Sequence, residues 1–141
     1  MISKLSWMAP ATVLLLAACG GSESNADDYA AANQLDPEDL GDIVCLHCHQ
    51  SAEKYLKALI TLHGGEPKST HDLIDLIESL PGGGGLSEEA IDAVDMLDGF
   101  AVTVRYPTED PDMEDVAEAL RAAHLVRESA RRALDLIQDD V

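Results

Sequence analysis

The stretch from Val44 to Leu62 most constrains the fold, because its apolar residues recur at a single spacing. Val44, Cys48, Ser51, Tyr55, Leu59 and Leu62 fall three and four apart, which puts them on one face of an α-helix. Ala52, Leu56 and Ile60 widen that face, and Glu53, Lys54 and Lys57 lie beside it. The helix is expected to open near Asp42 and to stop at Gly64-Gly65, where glycine supplies the left-handed backbone a helix end often needs. An apolar face this broad must be covered by other elements. Aromatic residues make up only 4% of the 141-residue chain, so the core is built mostly from Leu, Ile, Val and Ala. No β-branched run alternates as a strand would, and the class expected is all-α, in one domain.

Further helices flank this one. Ala26, Tyr29, Ala30, Ala32 and Asn33 suggest one face of a short helix, with Asp27 and Asp28 early, where its dipole favours them. Asp36-Pro37-Glu38-Asp39 is a loop or a capped helix start. Ser69 or Thr70 is expected to cap a third helix running to Leu80, followed by a flexible connector at Pro81 and Gly82–Gly85. Ser87 with Glu88 and Glu89 starts a fourth helix carrying Ile91, Val94, Met96, Leu97 and Phe100, which ends by Arg105-Tyr106-Pro107. A fifth spans 112–137, with Val116, Ala119, Leu120, Ala123, Val126, Ala130, Leu134 and Ile137 as its buried stripe.

Residues 1–21 differ from the rest. Lys4 is their one charge, and an apolar run from Trp7 leads to Leu16-Ala17-Ala18-Cys19 and then Gly-Gly-Ser. This resembles a bacterial lipoprotein signal, in which Cys19 would be lipidated and anchor the domain to a membrane. The competing reading is an upstream extension on a cytoplasmic protein. The folded domain is expected over 22–141.

The net charge of −18 repels phosphate backbones and disfavours nucleic acid as a partner. Four of the nine basic residues, Arg121, Arg127, Arg131 and Arg132, fall in the last helix. The sharpest chemical motif is Cys45-Leu46-His47-Cys48-His49. It fits the C-x-x-C-H pattern of c-type haem attachment, with Cys45 and Cys48 joined to the vinyls, His49 as axial ligand, and Met96 or Met113 as sixth ligand. The opposing reading makes both cysteines small buried helix residues. A zinc site is excluded by geometry, since ligands at 45, 47, 48 and 49 of one helix do not converge.

The same helix carries a family resemblance. Cys45-Leu46-His47-Cys48-His49-Gln50-Ser51-Ala52-Glu53-Lys54-Tyr55-Leu56-Lys57-Ala58 resembles the signature helix of HEPN domains (higher eukaryotes and prokaryotes nucleotide-binding). Leu46 replaces the usual aromatic residue, and His49 stands where Gln is common. Ala26-Asp27-Asp28-Tyr29-Ala30-Ala31, Thr70-His71-Asp72-Leu73 and Phe100-Ala101-Val102-Thr103-Val104-Arg105-Tyr106-Pro107 resemble three more family segments, in family order. On this resemblance the C-x-x-C-H pattern arises from one His substitution.

The resemblance implies an antiparallel, up-and-down bundle of four to five helices, no cofactor, and a homodimer. It also implies a nucleotide ligand or a minimal nucleotidyltransferase partner, as in toxin–antitoxin pairs. Some HEPN domains are ribonucleases with an Arg-x(4–6)-His motif. Here Arg105 is followed by Tyr-Pro-Thr-Glu-Asp-Pro-Asp with no His, so a module without catalysis is expected, a ribonuclease toxin being the alternative. The candidate nucleotide- or partner-binding residues are Gln50, Glu53, Lys54, Lys57, His71, Asp72, Arg105 and Tyr106. Lys54, Lys57 and Arg105 suit phosphate oxygens. Their structural readings are an i,i+4 pair for Glu53 and Lys57, and a helix-start carboxylate for Asp72.

Overall fold

A computed structural model describes residues 24–105 and 110–139, with side-chain surroundings for 28–100 and 110–135. Among the described residues there are five α-helices and no strand: α1 Ser24–Gln34, α2 Gly41–Leu62, α3 Leu73–Glu78, α4 Glu88–Arg105 and α5 Met113–Asp139. The expected all-α bundle is the one observed. The extension with Cys19 and residues Tyr106–Glu109 lie outside the described residues.

The central helix α2 packs against all four others. Its buried set includes Val44, Cys48, Ser51, Ala52, Tyr55, Leu56, Leu59 and Ile60, as the spacing predicts. Leu62, placed on the same face, is only half-buried. A Cβ on Gly41 would lie 2.9 Å from Val116 Cγ2, so glycine is what lets the starts of α2 and α5 touch. The backbone N–H of Ser87, at the start of α4, donates to Ser129 Oγ far along α5 at 2.9 Å. With Ser87 beside Ser129 and residues 89–96 beside 118–125, α4 runs against α5, while α2 and α5 start side by side.

Capping explains several boundaries. Ser87 Oγ accepts from Ala90 N at 3.2 Å, so the N-cap expected there is the one observed. At the start of α5, Asp115 N donates to Asp112 Oδ1 at 2.8 Å and Asp112 N donates to Asp115 Oδ2 at 3.0 Å, a reciprocal box. The third helix is shorter than expected and starts later. Its cap is Asp72, whose Oδ1 accepts from Asp75 N at 2.9 Å, not Ser69 or Thr70. Thr70 Oγ1 instead accepts from Asp72 N at 3.1 Å and shapes the approach.

Three local readings are corrected. In α1, Ala30 and Asn33 are exposed, while Asp28 and Ala32 are buried. Met96 is 44% exposed, and the α4 face that packs inward holds Ala90, Ala93, Val94 and Leu97. The glycine run is a built turn, not a flexible connector. Pro81–Gly85 form a 3-10 turn in which Gly82, Gly83 and Gly84 have φ of 60°, 75° and 67°. Non-glycine residues strain there. Gly84 is also buried, and a Cβ on it would lie 3.0 Å from Leu80 Cδ2. Gly84→Ala is expected to cost about 2 kcal/mol by urea denaturation, and Gly82→Ala about 1 kcal/mol, backbone strain alone, because nothing lies within 4 Å of its Cβ position. Equal costs would mean that Leu80 does not constrain the turn.

Candidate functional site

Two carboxylates organise the polar side of α2. Residues 47, 50, 54 and 57 recur at three and four, so His47, Gln50, Lys54 and Lys57 line one stripe beside the buried face. Asp28 reaches into this stripe from α1. Its Oδ1 lies 3.1 Å from His47 Nδ1, and its Oδ2 accepts from Lys54 Nζ. The Asp28 side chain is only 11% exposed. One turn along, Glu53 Oε1 accepts from Lys57 Nζ at 2.8 Å, and Glu53 Oε2 lies 3.0 Å from His71 Nδ1. Each buried carboxylate thus holds one lysine and one histidine, the charge pairing that burial of a carboxylate requires.

The Glu53 carboxyl shows the balance. Burial works to raise it, but the hydrogen bonds and charges of Lys57 and His71 outweigh burial and hold it below the ordinary glutamate value. His71 is 68% exposed and belongs to the 63–72 connection, so its bond to Glu53 ties that connection onto α2. A few residues on, Leu73 N donates to Asp98 Oδ1 of α4 at 2.8 Å, which anchors the start of α3.

Of the candidate residues, the structure brings Glu53, Lys57 and His71 together, pairs Lys54 with Asp28 instead, and leaves Gln50 half-buried on the same stripe of α2. Asp72 stands next to His71 and caps α3. The side chain of Arg105 and all of Tyr106 lie outside the described residues. Asp28, read from the sequence only as an early helix residue, and His47, read as part of the cysteine motif and the signature helix, were not among the candidate site residues. The one local signal was a seven-residue step from His47 to Lys54; the shared acid comes from 26 residues before Lys54. Also absent from those candidates was Tyr29, whose OH lies 3.0 Å from His124 Nδ1 and whose ring carries the Arg127 guanidinium 4.9 Å from its centroid, joining α1 to α5.

The cysteine motif is placed as core. Cys45 is 1% exposed and Cys48 0%. Burial first, then the charges of Asp115 and Asp42, push the Cys45 thiol up to about 11; burial and Cys45 push Cys48 up to about 12. Neutral, buried thiols of this kind are poor nucleophiles. His49 is buried with them, whereas Met96 and Met113 are exposed on α4 and α5. Haem attachment through Cys45, Cys48 and His49 therefore finds no open face on this helix. Among the described residues no group of three or more His, Cys, Asp or Glu side chains is arranged to hold a metal ion.

No curated protein and no solved structure matches the chain. The sequence profile of the HEPN domain does match, over residues 24–133. That span begins with the helix that donates Asp28, includes the whole of α2 with its paired lysines, and runs into α5. Agreement over so much of the chain settles the family: this protein belongs to the HEPN domain family.

Proposed function

We propose that this HEPN chain is a module without catalysis of its own that binds a nucleotide, alone or as presented by a minimal nucleotidyltransferase partner, through the polar stripe of α2. The supporting observation is the pairing of Lys54 with Asp28 and Lys57 with Glu53. The lysine side chains are 24% and 18% exposed, so each is held by its carboxylate without being fully buried. An ammonium has three donors, and the partner carboxylate occupies only part of that capacity. Lysines already fixed lose little freedom on meeting a phosphate, which favours binding. Gln50, one turn before Lys54 on the same stripe, supplies an amide suited to a base edge or a peptide. In a chain of charge −18, this stripe is where cations balance acids locally.

Arg105 has no histidine in the family's nuclease spacing, which supports binding over RNA cleavage. Within this reading the chain acts as a homodimer in the cytoplasm, in the manner of a toxin–antitoxin component; lipidation at Cys19 would place the same module on a membrane. Among the described residues no helix is long and apolar enough to cross one.

Calorimetric titration with ATP tests the site. Lys54→Ala and Arg105→Ala are each expected to weaken binding by about tenfold or more. Unchanged affinity in both variants would remove the site. RNA cleavage by the wild type that is lost in Arg105→Ala would replace the binding module with a ribonuclease.

A further inference from the structure

Away from the α2 stripe, α4 and α5 enclose a groove of about 290 Å³. It is lined by Glu89, Asp92, Ala93 and Met96 from α4, and by Glu118, Arg121, Ala122 and Leu125 from α5. The two helices contribute the same spacing, i, i+3, i+4 and i+7. Each gives an acid first, a small alanine at the floor, and a large apolar residue last. Because α4 and α5 run in opposite senses, Met96 and Leu125 stand toward opposite ends of the groove. They are 44% and 43% exposed, apolar surface inside a concave site that a seated partner would remove from water.

We infer that this groove is a docking site for a basic amphipathic helix of a partner protein. The shape is that of helix-in-groove recognition, in which apolar anchors at helical spacing seat between two helices. Charge selects the partner. Three carboxylates and one guanidinium line the groove, so a second copy of this chain would bring six carboxylates against two guanidinium groups. A helix bearing Lys or Arg beside its apolar stripe meets the three acids favourably and covers Met96 and Leu125. The inference does not depend on nucleotide binding at the α2 stripe, which lies on other residues.

The probe is an amphipathic peptide of leucine and lysine at helical spacing, with a leucine–glutamate counterpart. Methyl-labelled methionine reports the contact. The lysine peptide is expected to shift the Met96 methyl resonance and leave Met113 in place, and the glutamate peptide to shift neither. In anisotropy titrations, Glu89→Lys with Asp92→Lys should weaken the lysine peptide by about tenfold or more. The same charge change on another surface, Glu38→Lys with Asp39→Lys, should weaken it by less than about twofold. An unmoved Met96, or equal weakening by both lysine pairs, would overturn the inference in favour of unspecific attraction. A Met96 shift that follows protein concentration and ignores the peptide would overturn it in favour of self-association.

Discussion

Leu56→Ala is expected to lower the unfolding free energy by about 3 kcal/mol, a large share of the roughly 5–15 kcal/mol that holds a domain together. Leu56 is 0% exposed at the middle of α2, the helix on which every other helix packs. Truncation removes the transfer energy of the buried methyl groups and leaves a cavity that several rigid helices cannot close at once. Leu46→Ala is the matched control. Leu46 sits on the same helix but is 36% exposed, and its loss should change stability by about 0.5 kcal/mol or less. Urea denaturation followed by far-UV circular dichroism reads both, and the denaturant slope should stay unchanged. A cost for Leu56→Ala close to that of Leu46→Ala would show that α2 is not the centre of the core.

The same helix explains how far the fold could be read without coordinates. A 22-residue helix with period-3.6 burial announces itself, and its burial pattern matched position by position at Val44, Cys48, Ser51, Tyr55 and Leu59. Ser87 was legible because capping is a local event within three residues. The first helix was not. Its 11 residues are rich in Ala, which packs or faces water with little difference in energy, so Ala30 and Asn33 were assigned inward while Asp28 went in instead. The start of α3 slid to Leu73 because His71 bonds to Glu53 and Asp72 takes the cap. Gly82–Gly85 looked loose in sequence, yet a fixed left-handed turn also needs glycine, and composition does not separate the two. The site was half legible for a related reason. Glu53, Lys54 and Lys57 lie on one helix, so their proximity follows from spacing. Asp28 and His124 enter through tertiary packing, across 26 and 95 residues, and no periodicity announces such pairs.

Glu53→Gln has the second large expected effect, and its pH dependence tests the account of the site. Glutamine keeps the size of the side chain but removes the charge that Lys57 and His71 share. Hydrogen bonds to a charged group contribute about 1.5–3 kcal/mol, and the variant should lose that amount near neutral pH. In the folded protein the Glu53 carboxyl is held below its ordinary value of 4.5. An acid whose folded value is depressed stabilises the fold fully above its unfolded value and loses that contribution as pH falls through the folded one. The stability gap between wild type and Glu53→Gln is therefore expected to be present above the ordinary value and to narrow below it. Urea denaturation from pH ~7 down to pH ~3 measures the gap. His71→Ala should cost less than Glu53→Gln at neutral pH, since His71 is 68% exposed and Lys57 still holds the carboxylate. A gap of the same size at both ends of the range would mean that the charge of Glu53 contributes nothing, and that the carboxylate serves only as a packed side chain between α2 and the 63–72 connection.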